Sequence, residues 1–378
     1  MNIRLLKKLD AVVGCISASL IPVPVRRELP LPVTSLLLIR PGGIGDAVLL
    51  APAISSLRKT FPTVDITVLA ESRNAGVFPL IPGIDRILCY DRPLDLVLAL
   101  LKKYDAVIDS EQWHRLSAVV ARFVSAPVKI GFDTNERRRM FTHPVPYSHD
   151  DYETDSFTRL MEPFGFLANG LDTEHPFLFI PDDAAGNVTA LLEPLKNQQF
   201  VAVFSGASIP ERQWGADRFR RVAEALSTVG IMTVVVGGKE DRRQGDEIVA
   251  GGAGLNLAGQ TSLPETAAIL QKSSLLLSGD SGVLHIAVGL GIATVSLFGP
   301  GRAKKWAPQG DRHIVINKEL SCSPCTTFGT TPPCPIDAHC MKDISVDEVT
   351  NVVTMLLTSQ GAIPSSCCKR DWIDVKQH

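Results

Sequence analysis

Short apolar runs alternate with segments of helical periodicity along residues 34–131. The runs have the length of strands, whereas the segments between them place apolar residues three or four positions apart. Strands that alternate with helices through short connections form a parallel sheet with helices on both faces. The predicted strands are 35–40, 65–69, 86–90 and 106–108, and the predicted helices are 46–59, 94–102 and 116–123. We therefore predict an N-terminal Rossmann-like domain over residues 34–172.

The same alternation returns after residue 198 and predicts a second Rossmann-like domain over residues 198–350. Residues 132–172 lack this rhythm, and residues 173–197 carry Pro176, Pro181 and Pro194, which favours a hinge. The fold class is therefore α/β with two parallel sheets. In the second domain the predicted strands are 200–204, 231–236, 275–277 and 294–298, and the predicted helices are 217–226, 241–249 and 264–271, with another helix after Gly282.

The two ends of the chain lie outside these domains. Residues 1–33 place apolar residues at helical spacing, with Arg4, Lys7 and Lys8 near the start and Pro22 at the end, which predicts an amphipathic segment. Such a helix either lies in a membrane interface or packs on the protein body, and the pattern leaves both open. Asp10 interrupts the apolar region, which argues against a signal peptide. Residues 351–378 are assigned to a C-terminal helix and tail.

Composition narrows the class of partner. The chain has 378 residues, 45% of them hydrophobic, with a formal net charge of −2. A globally basic field is therefore lacking, and we expect no nucleic-acid partner. Local charge is uneven, since Arg137, Arg138 and Arg139 form a basic triplet within residues 132–172. This triplet is either a solvated surface or a binding site for an anionic substrate.

A glycine-rich loop follows the first predicted strand. Gly42, Gly43 and Gly45 allow close approach of a ligand to the backbone, and Asp46 begins the next helix. The loop lacks the Gly-x-Gly-x-x-Gly spacing of dinucleotide sites and the Gly-Lys-Ser/Thr of a P-loop. It is therefore a candidate ligand loop of another kind.

The second domain has three polar loops at predicted strand ends. Arg212 is suited to clamping a phosphate, and Glu240 to accepting hydrogen bonds from a ribose diol. The third loop contains Asp280, Ser281 and Gly282 before a predicted helix that carries His285. The alternative interpretation is that this loop has no binding role, with Asp280 as a helix cap and His285 as a core histidine. Together the loops predict a nucleotide diphosphate site.

These elements resemble glycosyltransferase family 9, the ADP-heptose:lipopolysaccharide heptosyltransferases. The resemblance covers residues 34–350, through the segments 38–52, 212–214, 237–240, 280–285 and 297–300. It implies a GT-B fold, two Rossmann-like domains facing across a cleft, with the acceptor held by the first and the sugar nucleotide by the second. By position, Asp46 is similar to the general base of the family, and Asp280, Ser281, Gly282 and His285 are similar to its donor-binding loop. Glu240 matches the ribose-binding residue, and Arg212 stands where the family usually has a lysine.

The implied reaction is an inverting transfer of a heptose, or a similar sugar, from an ADP-sugar to an anionic lipopolysaccharide core acceptor. Asp46 would remove the proton of the attacking hydroxyl, while cations and N–H groups stabilise the departing diphosphate. Arg137, Arg138 and Arg139 would meet acceptor anions. We expect no cofactor in catalysis, because the sequence has no Asp-x-Asp between strands.

The resemblance also implies a location and leaves alternatives. The expected location is the inner face of the cytoplasmic membrane of a Gram-negative bacterium, with peripheral membrane contact. The alternatives are another nucleotide sugar, a protein acceptor, water as the acceptor in a hydrolase, and a non-catalytic scaffold that binds a nucleotide sugar.

Four of the eight cysteines are clustered at Cys322, Cys325, Cys334 and Cys340. Four thiolates suit a structural Zn or Fe, and a branch of related heptosyltransferases that modifies autotransporters has a four-cysteine iron finger. The spacing is irregular for a zinc ribbon, so reduced thiols or a disulfide pair remain open.

Overall fold

The computed structural model describes residues 10–166 and 176–363. The chain forms two compact units that divide between Phe179 and Ile180. Each unit contains a six-stranded parallel sheet. This architecture confirms the predicted α/β class with two Rossmann-like domains.

The first unit is built on a sheet whose strands run in parallel. Its strands are β1 (Ser35–Arg40), β2 (Asp65–Ala70), β3 (Arg86–Cys89), β4 (Ala106–Asp109), β5 (Val128–Phe132) and β6 (His143–Val145). They lie in the order β3-β2-β1-β4-β5-β6, which is the Rossmann order. On the central strand, Leu37 and Ile39 are buried on one face of the sheet and join a core that contains helix residues such as Ala99 and Ala118.

Helices cover this sheet. The α-helices of the first unit are Cys15–Leu20, Ile44–Leu49, Ala51–Thr60, Pro93–Leu101, Arg115–Phe123 and Glu153–Arg159. Shorter helical turns are Asp10–Gly14, Ala75–Leu80, Glu136–Met140 and Glu162–Phe164. The single helix predicted over 46–59 is wrong, because two helices occupy this region. Pro52 lies in the first turn of the second helix, where its missing N–H is tolerated.

The prediction that strands and helices stop alternating over residues 132–172 is also wrong in part. β6 and the helix Glu153–Arg159 lie in this region, as does the turn Glu136–Met140. β6 is a three-residue edge strand that contains Pro144, and such a strand leaves little periodic signal. Residues 167–175 lie outside the described part.

The second unit repeats the plan. Its strands are β7 (Phe200–Phe204), β8 (Met232–Val235), β9 (Gly254–Asn256), β10 (Leu275–Gly279), β11 (Thr294–Phe298) and β12 (His313–Asn317), in the order β12-β11-β10-β7-β8-β9. Its α-helices are Asp182–Leu192, Ala216–Ser227, Arg242–Val249, Leu263–Lys272, Gly282–Gly289, Ala303–Trp306, His339–Lys342 and Val346–Ser359. Short turns are Glu193–Leu195, Pro210–Arg212 and Lys239–Asp241. The segment 173–197, predicted as a hinge, thus holds the helix Asp182–Leu192.

The N-terminal segment packs on the body of the first unit. The Asp10 carboxylate accepts hydrogen bonds from the backbone N–H groups of Arg115 (2.7 Å) and Leu116 (2.8 Å), at the start of the helix Arg115–Phe123. Ala18 is buried in the core of the unit, whereas Leu20 is exposed. The described residues therefore support the body-packing alternative and leave apolar side chains in contact with solvent. Residues 1–9 and 364–378 lie outside the described part.

Within residues 10–166 and 176–363, we find no helix with the length and apolar character required to cross a membrane.

Candidate active site

The glycine loop of the first unit lies at the carboxyl end of β1. Gly42 has φ +99°, a conformation that favours glycine, and its N–H donates to Glu71 Oε2 at 3.1 Å. A Cβ on Gly42 would lie 3.3 Å from Arg40 Nη2, and one on Gly43 would lie 3.4 Å from Asp46 Oδ2. The absence of side chains at Gly42 and Gly43 therefore keeps the space beside Arg40 and Asp46 open.

Asp46 lies in the first turn of the helix Ile44–Leu49, and its side chain is 21% exposed. Arg40 Nη2 is 3.8 Å from Asp46 Oδ2, and Gln112 Nε2 donates to Asp46 Oδ1 at 3.5 Å. Both contacts are long. The carboxylate thus has a cationic neighbour and an accessible surface, and a group that takes a proton from a substrate must be within reach of it.

Arg40 is the buried centre of this end of the sheet. Its guanidinium donates to the carbonyls of Pro41 and Ser110 and to Glu111 Oε2 at 3.0 Å. Burial disfavours the charged guanidinium, but the charges of Asp46 and Glu111 outweigh it and raise the pKa of Arg40. Burial alone would raise the pKa of Glu111, but the nearby Arg40 lowers it. Both groups are therefore charged at neutral pH.

A second carboxylate reaches the same region from the segment that lacked a sequence rhythm. Gln112 Nε2 donates to Glu153 Oε1 at 2.6 Å, and the Tyr147 hydroxyl donates to Glu153 Oε2 at 3.1 Å. Burial, followed by the charge of Glu153, raises the pKa of Tyr147. Gln112 therefore links Glu153 to Asp46.

The sequence analysis missed Arg40, Glu111, Gln112 and Glu153. Arg40 belongs to the glycine loop that the analysis singled out, and Glu111 and Gln112 follow β4. Polar residues at the carboxyl ends of adjacent parallel strands are a signal that could have identified these three. Glu153 gave no comparable signal.

The structure places Arg137, which was predicted to bind the acceptor, in the interior of the first unit. Its side chain is 0% exposed, because Arg137 Nη2 pairs with the buried Asp109 Oδ2 at 2.7 Å and Nη1 donates to the Phe132 carbonyl. Arg138 and Arg139 are exposed, and Arg139 Nη2 donates to the Ser19 carbonyl at 3.4 Å, which places it beside the N-terminal segment. An acceptor-binding role for these two arginines stays a prediction.

In the second unit, Asp280 and Ser281 follow β10. Ser281 Oγ caps the helix Gly282–Gly289 by accepting from the Leu284 N–H at 3.2 Å, and it is 2.9 Å from Ser278 Oγ. Arg212 Nη1 is 3.1 Å from Asp280 Oδ2. The structure thus brings Arg212 and Asp280 together, and the helix cap that was expected at Asp280 is Ser281 instead.

His285 lies one turn into this helix and is buried. Burial lowers its pKa to about 4, despite the opposing effect of the Asp280 charge. His285 is therefore neutral at physiological pH and has one ring nitrogen available to accept a hydrogen bond.

Buried polar atoms without hydrogen-bond partners are concentrated at this end of the second sheet. Buried polar groups in folded proteins nearly always have a partner, so each exception requires an explanation. Arg302, which the sequence analysis missed, follows β11; a Cβ on the neighbouring Gly301 would collide with Asp280 Oδ2. Within the described residues, the atoms that lack a partner here are Ser205 Oγ, Arg212 Nε, His285 Nδ1 and Arg302 Nε. A bound polar ligand would supply these partners.

Glu240 lies in the turn Lys239–Asp241 after β8 and is exposed. The turn is held by Asp241 Oδ2, which accepts from the Gly238 N–H at 2.8 Å. A Cβ on Gly206, in the loop after β7, would collide with Asp241 Oδ1. The loops after β7 and β8 therefore pack closely, which places Glu240 at the same sheet edge as Arg212.

Cys322, Cys325, Cys334 and Cys340 line one small cavity together with Glu211, and all four thiols are free. Burial, followed by the neighbouring cysteines, raises the pKa of Cys325 and of Cys340. In the described part of the chain, however, no three His, Cys, Asp or Glu side chains are placed to hold a metal ion. The predicted structural Zn or Fe is therefore unsupported.

The cysteine loop instead supports the carboxyl end of the second sheet. The N–H groups of Cys325 and Thr326 donate to the Pro300 carbonyl at 3.1 and 2.9 Å. Pro300 connects β11 to Arg302, so the loop fixes the backbone that positions this arginine.

Comparison with known proteins gives consistent matches. Residues 94–334 match the model of glycosyltransferase family 9 (heptosyltransferase). Lipopolysaccharide heptosyltransferase 3 of Escherichia coli is 26% identical over 295 residues, which cover 71% of this chain and 85% of that protein.

Two solved structures show the fold. A glycosyltransferase family 9 protein from Veillonella parvula has a TM-score of 0.73 at 20% identity and covers 88% of this chain and 99% of its own. The ADP-heptose lipopolysaccharide heptosyltransferase II of E. coli has a TM-score of 0.72 at 19% identity, and the match covers 87% of this chain and 100% of that chain. These likenesses confirm the expected GT-B type of fold.

Proposed function

The chain belongs to glycosyltransferase family 9, the heptosyltransferases, and from that premise we propose that it transfers a heptose or similar sugar from an ADP-sugar to a lipopolysaccharide core acceptor, with inversion at the anomeric carbon. Membership of this family makes the protein a glycosyltransferase and disfavours the scaffold alternative. The ADP-sugar is proposed because a similar structure is described as an ADP-heptose heptosyltransferase.

The observation that carries the donor assignment is the set of unpartnered buried atoms at the carboxyl edge of the second sheet. Arg212 and Arg302 would meet the diphosphate, since a guanidinium pairs with phosphate oxygens in a bidentate manner. Asp280, Ser281, Gly282 and His285 would line the donor loop, and Glu240 would hold the ribose. Arg212 keeps the positive charge of the lysine usual in the family but presents a planar fork.

Asp46 is the proposed general base. The acceptor hydroxyl attacks the anomeric carbon, its proton passes to the Asp46 carboxylate, and the bond between that carbon and the diphosphate oxygen breaks. Arg212 and Arg302 stabilise the negative charge that develops on the departing ADP. Because the nucleophile enters opposite the leaving group, the anomeric configuration inverts. We propose that this chemistry requires no cofactor, since the arginines meet the developing charge.

A lipopolysaccharide core acceptor is anchored by lipid, so we place the reaction at the inner face of the cytoplasmic membrane, with peripheral contact. Arg138 and Arg139 are the exposed members of the basic triplet that remain available to acceptor anions.

A thermal-shift panel of ADP, UDP, GDP and CDP tests the donor class, because a ligand that binds the folded state raises the unfolding midpoint. We expect a shift with ADP that Asp280→Ala abolishes. Asp311→Ala, which removes an exposed acid of the same unit, is the matched control and should retain the shift. A shift with UDP or GDP instead would contradict the ADP-sugar assignment and favour the alternative nucleotide sugars.

Turnover then tests the base. Asp46→Asn should bind ADP as the wild type does but transfer sugar at least about a hundredfold more slowly. Release of free sugar by the wild type without an acceptor would favour the hydrolase alternative.

A further inference from the structure

The helix Pro93–Leu101 is apolar on more than its core side. Ala99 is buried and Leu96 packs against the same core. Leu94 (79% exposed) and Leu101 (76% exposed), together with Leu98, nevertheless project into solvent. These three residues occur at helical spacing and form one stripe. A helix that is apolar on both its core side and its solvent side typically has a second apolar partner that covers the solvent side.

Two neighbouring elements extend this surface. Lys103 and Ser125 form an isolated parallel bridge, which brings the ends of the helices Pro93–Leu101 and Arg115–Phe123 together. Phe123, at the end of the second of these helices, is exposed. The N-terminal segment packs along that helix, since Asp10 caps its start and Arg122 Nη2 donates to the Pro22 carbonyl near its end.

The N-terminal segment contributes its own exposed stripe. Ile16 and Leu20 are exposed on the helix Cys15–Leu20, whereas Ala18 is buried in the core shared with Ala99. We use the name apolar face for the exposed Ile16, Leu20, Leu94, Leu98, Leu101 and Phe123. All of its members lie on elements of the first unit that cover one face of its sheet.

The charges on these elements indicate which kind of partner covers the apolar face. The acids of the two stripes are engaged, because Asp10 is buried as a helix cap and Asp95 accepts from the Cys89 N–H at 3.0 Å. The exposed charges on or beside these elements are mostly cations, since the acids Glu28 and Asp91 are outnumbered by Arg26, Arg27, Arg92, Lys103, Arg138 and Arg139. Exposed apolar side chains bordered by cations match a membrane surface that contains anionic lipids.

We propose that the apolar face docks the first unit on an anionic lipid surface, with the leucines entering the headgroup boundary and the arginines and Lys103 meeting lipid phosphates. The inference rests on the proposed function in one respect, namely that a lipopolysaccharide acceptor is presented at a lipid surface. It also gives Arg138 and Arg139 a partner that does not require them to contact the acceptor.

Co-sedimentation of the full chain with lipid vesicles tests the proposal. We expect binding to phosphatidylcholine vesicles that contain phosphatidylglycerol, and about tenfold weaker binding or less to phosphatidylcholine alone. Leu94→Ser combined with Leu101→Ser should weaken binding to the anionic vesicles at least about tenfold. Met355→Ser, which removes an exposed apolar side chain of the second unit, is the matched control.

A second variant keeps the test independent of one helix. Ile16→Ser combined with Leu20→Ser should have the same effect, and both double variants should retain the ADP thermal shift, which separates failure of docking from failure of the donor assignment. Undiminished vesicle binding in both variants would overturn the proposal. So would a wild type that binds neither vesicle, or variants that change the molecular mass in solution but not lipid binding, since the face would then join copies of the chain.

Discussion

The buried pair of Arg137 and Asp109 gives the most sharply defined prediction. Both side chains are 0% exposed and meet at 2.7 Å. Asp109 also accepts hydrogen bonds from the Glu111 N–H (3.1 Å) and the Ser117 hydroxyl (2.9 Å). Arg137→Met keeps much of the apolar stem but leaves the Asp109 carboxylate buried without its cation.

Removing one partner of a buried ion pair costs about 3–5 kcal/mol, because the remaining charge is desolvated without compensation. The remaining hydrogen bonds to Asp109 favour the lower part of that range. Since domains are stable by about 5–15 kcal/mol, the first unit of this variant should be strongly destabilised yet able to fold.

The effect should also depend on pH. Burial raises the pKa of Asp109, while the Arg137 charge opposes the rise. Loss of Arg137 should therefore raise this pKa further. A carboxyl whose pKa is higher in the folded than in the unfolded state loses stability as the pH rises through that interval. The destabilisation by Arg137→Met should be largest at neutral pH and smaller near the acid end of the stable range.

Native-state hydrogen exchange of the β4 and β5 amides measures this free energy within the first unit. The exposed neighbours supply matched controls, since Arg138→Met and Arg139→Met should change stability by no more than about 0.5 kcal/mol. If Arg137→Met is equally harmless but raises the acceptor KM, the residue faces substrate and our account of its burial is refuted.

Further predictions concern the donor end and the N-terminal segment. Arg302→Gln should weaken ADP binding about tenfold by calorimetry, since hydrogen bonds to charged groups contribute about 1.5–3 kcal/mol, while Arg243→Gln, on a 90% exposed side chain, should not. Because the pKa of His285 is lowered to about 4, stability should fall as the pH drops from about 6.5 towards 4, and His285→Gln should flatten that part of the urea-unfolding profile. Asp10→Ala should lower the unfolding free energy by about 1 kcal/mol, the usual contribution of a helix cap, and unchanged stability would contradict its capping role.

Periodicity was sufficient to predict most of the described strands, and all of those predicted except the edge strand β3 are internal to their sheets. β1 is centred on the unbroken apolar run 36–39, and its predicted bounds are those observed. β5 and β12 were missed although each has five residues, since Lys129 in β5 and the polar ends of β12 interrupt the apolar pattern. Lys129 is accommodated in the core because its ammonium donates to the carbonyls of Ala121 and Val124 at the end of a helix.

Sequence position could mark Arg40 and Glu111 as polar residues at strand ends, but it could not predict which charged side chains pair in the interior of the first unit. An arginine in a sequence is ordinarily expected at the surface, because burying a charge is costly without a partner. Arg40 is buried because Glu111 reaches it from a position 71 residues away, and Arg137 because Asp109 reaches it from 28 residues away. The topology that places β1, β4 and β5 side by side creates those pairs, and a local pattern carries no information about it.

The two candidate sites differ in whether their buried polar groups have hydrogen-bond or ion-pair partners, and this difference bears on their chemistry. At the carboxyl edge of the second sheet, where we propose that the donor binds, buried nitrogens without a partner remain on Arg212, His285 and Arg302. Around Asp46, by contrast, Arg40 makes its short contacts with Glu111 and backbone carbonyls and only a 3.8 Å contact with Asp46. A short ion pair with a cation lowers the pKa of a carboxylate and therefore weakens it as a base. For the general base that we propose, the 3.8 Å contact with Arg40 supplies a nearby cation while the Asp46 side chain stays 21% exposed to an incoming hydroxyl.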